Sequence, residues 1–144
     1  FTPIMERIDI DKPVWNLGTF TGRLRYYAWI TNPLLNFNSK ESLTQAKELV
    51  EKYREGKEPP GTTQKQIYNA KQLCLSAFHP DTGDLQNVIG RMSFQVPGGM
   101  ILIGAMVTFY KSNAAVVFWQ WANQSFNALV NYTNRNAASD VTPK

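Results

Sequence analysis

The chain has 144 residues, with 15 Lys and Arg against 11 Asp and Glu, and a formal net charge of +4. Its basic residues are mixed with acidic ones and form no cluster interleaved with aromatic side chains, so we do not predict nucleic-acid binding. One cysteine and one histidine exclude an intrachain disulfide and are too few for a structural zinc site, so we predict no metal and no cofactor.

Charge is divided unevenly along the chain. All but four charged residues lie at or before residue 91. The exceptions are Lys111, Arg135, Asp140 and Lys144. We predict a charged helical head at 1–91, two transmembrane or membrane-embedded helices at 92–135 and a polar tail at 136–144. The predicted fold is all-α: a multi-span helical membrane protein in which the head precedes a transmembrane hairpin, and in which we expect truncation at both ends.

Helical periodicity predicts three helices in the head. They cover about 19–29, 38–56 and 63–78. Gly56 follows the apolar face of the second helix, as a carboxy-terminal cap glycine does. The third helix opens on Thr63-Gln64-Lys65-Gln66, which has the pattern of a capping box.

The segment His79-Pro80-Asp81-Thr82-Gly83 allows two interpretations. Asp81-Thr82-Gly83 is the tripeptide of aspartic proteases, but that chemistry needs two carboxylates that share a proton. A predicted helix leads into the segment, so we favour a structural turn. In this turn Pro80 takes the first corner, Gly83 takes a positive φ and the Asp81 carboxylate accepts backbone N–H groups. For His79 itself, the alternative to a structural role in the turn is titration near neutral pH.

A first charge-free run covers 92–110. At about 1.5 Å per residue, a helix of this length matches the thickness of a bilayer core. Pro97, Gly98 and Gly99 lie within the run and predict a helix break, a feature that exposes backbone groups to substrate in many transporters.

A second charge-free run covers 112–134 and carries seven side-chain amides. On a helix they share an arc of roughly 100°. They are Asn113, Gln120, Asn123, Gln124, Asn127, Asn131 and Asn134. A helix face in bulk water normally carries Lys and Glu, so this amide face predicts contact with other protein, a ligand or a confined aqueous path. An amphipathic helix on a soluble core is the plainer alternative.

Part of the amide face is predicted to line a substrate path. The candidates are Gln120, Asn123, Gln124, Asn127 and Asn131. Amide groups both donate and accept hydrogen bonds, so they can solvate the carboxylate and the ammonium of a zwitterion without a fixed countercharge. The same amides could instead join helices by hydrogen bonds, and the residues alone leave both interpretations open.

Three segments resemble the sideroflexin family. They are His79–Gly83, Gly90–Ser93 and, most specifically, Phe118–Arg135. Within the family, the stretches Ser93–Met100 and Asn134–Ser139 look most like the second paralogue. The resemblance covers nearly the whole chain, but only the amino-terminal half of the longer family members.

The resemblance implies a transporter, not an enzyme, in the mitochondrial inner membrane. Its implied substrates are serine and related small neutral amino acids, which would link the protein to one-carbon metabolism and to iron or haem homeostasis. The implied partners are membrane lipid and the remaining transmembrane helices of the parent protein. A mitochondrial membrane assembly or scaffold protein that transports nothing is the alternative function.

Overall fold

A computed structural model describes residues 7–135. Within that range the chain is all-α, as predicted, and forms no β-strand beyond one isolated bridge between Phe78 and Leu85. The α-helices are α1 (Phe20–Ile30), α2 (Lys40–Glu55), α3 (Gln64–Ala77), α4 (Gln95–Thr108) and α5 (Asn113–Thr133). Short 3-10 helices cover Pro33–Phe37, Val88–Gly90 and Met92–Phe94. The predicted tail at 136–144 lies outside the described residues.

Local capping signals fix the ends of the two longest helices in the head. The Ser39 side chain accepts a hydrogen bond from the backbone N–H of Ser42 and starts α2. Gly56 ends α2 with φ 73°, a left-handed conformation that costs glycine little. The capping box of α3 is confirmed, because Thr63 N–H donates to Gln66 Oε1 at 2.8 Å and Gln66 N–H donates to Thr63 Oγ1 at 3.3 Å.

The chain divides into two compact units, and the first comprises 7–30 and 38–74 among the described residues. Its core is formed by apolar faces of α2 and α3 together with one residue of the amino-terminal segment. These buried residues are Ile10, Ala46, Val50, Tyr53, Ile67 and Ala70. Gln72 Nε2 also donates to the carbonyl oxygen of Trp29 at 2.7 Å, which attaches α3 to the end of α1.

The second unit comprises 31–37 and 75–135 among the described residues, and its main feature is the antiparallel pair of α4 and α5. Aromatic contacts hold both ends of this hairpin. The rings of Phe94 and Phe126 lie 6.4 Å apart at one end, and those of Phe109 and Trp119 stack at 5.9 Å at the other. The predicted division at residue 91 stays a prediction, because it concerns the membrane boundary.

Helix α4 is shorter than the predicted span. It covers 14 residues, because Met92–Phe94 forms a 3-10 turn and the helix ends at Thr108. Among residues 7–135, no helix combines the length and the apolar character that crossing a membrane requires.

Gly98 lies where α4 packs tightly against a side chain of α5. A Cβ at this position would lie 2.7 Å from Phe126 Cζ and 2.9 Å from Phe94 Cε1. We therefore expect Gly98→Ala to lower the free energy of unfolding by about 1 to 3 kcal/mol, because the rings must shift to admit the methyl group. Denaturant unfolding of the protein in detergent measures this.

Gly104→Ala is the matched control for that substitution. Among residues 7–135, apart from its chain neighbours and the nearby backbone of α4, no atom lies within 4 Å of a Cβ built at Gly104, so alanine there should be neutral or stabilise α4 by up to about 1 kcal/mol. Equal stability of the two alanine variants would contradict the close packing of Gly98. Partial recovery in Gly98→Ala combined with Phe126→Leu would support it.

Candidate functional site

The five predicted substrate-path residues lie on one uninterrupted helix, α5. Four of them are exposed, namely Gln120, Gln124, Asn127 and Asn131, and Asn123 is half-buried beside the side that packs on α4. At about 100° per residue they share one side of the helix. The structure therefore brings all five together as an amide face that points away from α4.

Two further faces of α5 differ from the amide face. Trp119 and Phe126 pack toward α4 through ring contacts with Phe109 and Phe94. On the remaining side, four large exposed side chains form what we call the apolar strip. They are Phe118, Trp121, Leu129 and Tyr132, of which Trp121 and Tyr132 are each 65% exposed. Helix α5 thus presents one packed, one amide and one apolar side.

The 79–83 segment forms a tight turn beside the carboxyl end of α5. His79 N–H donates to the carbonyl oxygen of Asp84 at 2.9 Å, and Gly83 N–H donates to the carbonyl oxygen of His79 at 2.9 Å. Gly83 has φ 69°, as predicted, so it supplies the left-handed residue that the turn requires. Pro80 and Thr82 occupy the turn itself. The segment is therefore a structural turn with defined closing bonds.

The His79 ring joins this turn to α5. Its Nδ1 accepts hydrogen bonds from the backbone N–H groups of Asp81 at 3.1 Å and Thr82 at 3.2 Å. Its Nε2 lies 2.9 Å from the carbonyl oxygen of Arg135. With Nδ1 as the acceptor of both N–H groups, the tautomer that carries its proton on Nε2 donates to the Arg135 carbonyl oxygen.

This arrangement adds an acceptor to the predicted turn. The sequence predicted that the Asp81 carboxylate accepts nearby backbone N–H groups, and that stays a prediction. In the structure the ring of His79, a residue that is 8% exposed, accepts the N–H groups of Asp81 and Thr82. An imidazole nitrogen one residue before the proline reaches both N–H groups as they turn back toward it.

A second set of polar contacts closes the same end of α5. Gln86 Nε2 donates to Asn134 Oδ1 at 2.9 Å, and Asn134 Nδ2 donates to the carbonyl oxygen of Gly90 at 3.0 Å. Arg91 Nε donates to the carbonyl oxygen of Gln86 at 3.2 Å. Gln86 and Arg91 are 7% and 5% exposed, and burial lowers the pKa of the Arg91 guanidinium. Gly90 ends a 3-10 helix, so Asn134 satisfies a carbonyl oxygen that a helix end otherwise leaves unpaired.

Gly90 permits that closure by lacking a side chain. A Cβ there would lie 2.8 Å from Thr133 Cβ, so only glycine allows the backbone to approach α5 this closely. Sequence reasoning missed the roles of Gln86 and Gly90. Asn134 stood out only as a member of the amide face, and Arg91 only as the last charge before the apolar run.

An open groove of about 370 Å³ lies between the turn and the carboxyl end of α5. The turn and the segment after it contribute one wall, and the last two turns of α5 contribute the other. Its lining residues are His79, Thr82, Asp84, Leu85, Gln86, Asn87, Leu129, Tyr132, Thr133 and Arg135. Among residues 7–135, no group of three or more His, Cys, Asp or Glu side chains is placed to hold a metal ion.

The predicted helix break at Pro97, Gly98 and Gly99 is wrong. They lie inside the continuous helix α4, near its start at Gln95. Proline lacks a backbone N–H, but the first N–H groups of a helix have no intrahelical acceptor, so Pro97 removes no hydrogen bond. The irregular backbone lies just before α4, in the 3-10 turn Met92–Phe94.

The fold and this site define a class of all-α protein with a hairpin of two helices that contain no charged residue, the second of which carries an amide face. Residues 9–144 match the family model of the sideroflexins. The chain is 60% identical to Sideroflexin-2 of Mus musculus over 138 residues, which cover 96% of the chain and 43% of the relative. Identity to Sideroflexin-2 of Drosophila melanogaster is 54%, with 94% and 41% covered. Sideroflexin-1 of Homo sapiens is 47% identical, with 94% and 42% covered.

The chain belongs to the sideroflexin family, as its motifs predicted. This is a family of transporters and not of enzymes. The chain spans less than half the length of the curated relatives it matches. No solved structure matches it.

Proposed function

We propose that this chain is part of a multi-pass transporter of the mitochondrial inner membrane that carries serine and related small neutral amino acids. The observation that carries the proposal is the amide face of α5, where Gln120, Asn123, Gln124, Asn127 and Asn131 share one side of a helix without a charged residue. Membership of a transporter family supports it.

The chemistry of the amide face fits a zwitterionic substrate. Each side-chain amide offers two N–H donors and a carbonyl acceptor, so one row of amides can solvate both an ammonium and a carboxylate. A fixed charge would favour one end of the substrate and would be costly inside a membrane. An uncharged row therefore suits a small neutral amino acid better than an anion or a cation.

The composition and surface of the hairpin support a membrane location. Lys111 is the only charged residue between Arg91 and Arg135. Helix α4 also has exposed apolar side chains, among them Met100 and Ile101. In the proposal these apolar surfaces contact membrane lipid, while the amide face contacts the remaining transmembrane helices of the full-length protein and the substrate that passes between them.

A scaffold protein that transports nothing is the competing function. It is favoured by the fact that the same exposed amides could hydrogen-bond to neighbouring helices and hold an assembly together. A link to one-carbon metabolism and to iron or haem homeostasis belongs to the transporter proposal, and it rests on the family resemblance.

The direct test is uptake of labelled serine into liposomes that contain the full-length protein. We expect saturable uptake that excess unlabelled alanine inhibits and excess aspartate does not, because the amide face offers no cation for a second carboxylate. Protein-free liposomes and liposomes with the 144-residue segment alone are the controls. Uptake no faster than in protein-free liposomes would favour the scaffold.

A further inference from the structure

The groove beside the turn carries two opposite charges that neither the amide face nor the turn requires. Asp84 and Arg135 both line it, Asp84 from the segment that follows the turn and Arg135 from just beyond the end of α5. Both backbone polar groups of Asp84 are fixed, since its N–H donates to Thr82 Oγ1 at 3.3 Å and its carbonyl oxygen accepts from His79 N–H. The buried His79 and Gln86 also line the groove and hold its walls together. These hydrogen bonds and buried side chains therefore hold the groove in a defined shape.

Arg135 is held at the edge of the groove by Tyr132. The guanidinium lies 4.2 Å from the centre of the Tyr132 ring, and Nη1 donates to the carbonyl oxygen of Tyr132 at 3.0 Å. A guanidinium has five N–H groups, and the N–H groups other than the one that donates to Tyr132 are suited to donate to an oxyanion. The planar donor geometry of arginine is well matched to phosphate.

The groove opens at the end of the apolar strip and away from the amide face. Leu129 and Tyr132 belong to both the strip and the groove lining. At about 100° per residue, Phe118 and Trp121 lie on the same side of α5 as these two residues, whereas Asn127 and Asn131 lie on the opposite side. A ligand of this groove would thus have a polar end between Asp84 and Arg135 and an apolar end along the strip.

We propose that this groove binds the headgroup of an aminophospholipid, a lipid with a primary ammonium and a phosphodiester and no further charge. Arg135 binds the phosphate, Asp84 binds the ammonium, and the acyl chains lie along Phe118, Trp121 and Leu129. The volume of about 370 Å³ falls within the range of about 300–1,000 Å³ usual for small-ligand sites. A headgroup without an ammonium, such as that of phosphatidylglycerol, would lack a partner for Asp84.

This inference rests on the proposed location of the hairpin in a membrane. It assigns a lipid to the apolar side of α5, whereas the transported amino acid uses the amide side. A lipid headgroup is favoured over a free amino acid because the groove continues into an exposed apolar strip, which a small zwitterion would leave uncovered.

The test is native mass spectrometry of the full-length protein in detergent, incubated with equal amounts of phosphatidylethanolamine, phosphatidylcholine and phosphatidylglycerol with identical acyl chains. Phosphatidylcholine is the matched lipid, because its methylated nitrogen cannot donate a hydrogen bond to Asp84. We expect about fivefold more retained phosphatidylethanolamine than phosphatidylcholine, the upper end for one exposed ion pair. Equal retention of these two lipids, or preferred retention of phosphatidylglycerol, would overturn the inference.

Three variants assign the effect to the groove. Asp84→Asn should abolish the preference between the two zwitterionic lipids, and Asp84→Glu should restore part of it. Arg135→Gln should reduce retention of both lipids by a similar factor. Lys111→Gln, at the opposite end of the hairpin, is the matched control and should change neither. Circular dichroism of each variant confirms that α5 is intact, and a preference that survives Asp84→Asn in a folded protein would reject the site.

Two further measurements separate this inference from the proposed function. Displacement of bound phosphatidylethanolamine by excess serine would identify the groove as an amino-acid site and overturn the lipid assignment. Flotation of the wild-type protein with pure phosphatidylcholine liposomes tests membrane insertion by itself. Failure to float would reject the membrane location, whereas flotation without any headgroup preference would reject only the lipid site.

Discussion

Replacement of Asn127 by leucine is expected to reduce serine uptake per folded molecule about tenfold, which corresponds to the loss of one to two substrate hydrogen bonds at about 1 kcal/mol each. Asn127 is exposed on α5, at the centre of the amide face. Leucine has nearly the same size and removes the polar contact without adding an unpaired amide. The measurement is initial uptake into liposomes, divided by the amount of folded protein reconstituted.

Ala128→Leu provides the matched control for that substitution. It places the same side chain one position along α5, about 100° around the helix and outside the amide face, where residue 128 is also exposed. Uptake should be unchanged in this variant. Should Asn127 serve to join helices, Asn127→Leu would instead lower stability by about 0.6 to 2 kcal/mol in a membrane. Unchanged uptake per folded molecule would remove Asn127 from the substrate path.

Substitution of His79 is expected to have the largest effect on stability. His79→Ala removes the acceptor for two backbone N–H groups and the donor to the Arg135 carbonyl oxygen, so we expect a loss of about 2 to 4 kcal/mol. His79→Asn should lose only about 1 kcal/mol, because asparagine Oδ1 can accept the turn N–H groups but cannot reach Arg135. Denaturant unfolding in detergent measures both values.

The difference between the two His79 variants separates the two roles of the ring. Asp81→Asn is a further control, which keeps the His79 ring and its accepted bonds and should cost less than His79→Ala. Equal stability of His79→Ala and the wild type would show that the turn closes without the ring. An equal loss in His79→Ala and His79→Asn would assign the whole effect to the contact with Arg135.

Local signals in the sequence predicted most of the helix boundaries. Gly56 and the Thr63 to Gln66 capping box act within a few residues of the chain, so their meaning can be derived without a three-dimensional structure. The amide face of α5 is equally local, because one helix with a fixed angle per residue determines which side chains lie together. The all-α fold followed from these periodicities.

The polar contacts at the end of α5 could not be predicted in the same way. His79 meets Arg135 across 56 residues of sequence, and Gln86 meets Asn134 across 48. No periodicity within either segment specifies a partner at that separation. The position of Pro97 was misjudged for a related reason, since a proline breaks a helix or starts one depending on where the preceding residues leave the helical conformation.

The polar contacts at the carboxyl end of α5 also determine the rotational orientation of that helix. A turn of about 100°, the angle of a single residue, would bring an amide or an apolar side chain where Phe126 now packs on α4. The packed, amide and apolar sides of α5 differ in chemistry, so only one orientation places Phe126 against α4. The contact between Gly90 and Thr133 favours the same orientation. Through this selection, the short segment around Gly90 decides that the amide side chains, and not the apolar ones, lie on the side of α5 that carries Asn127.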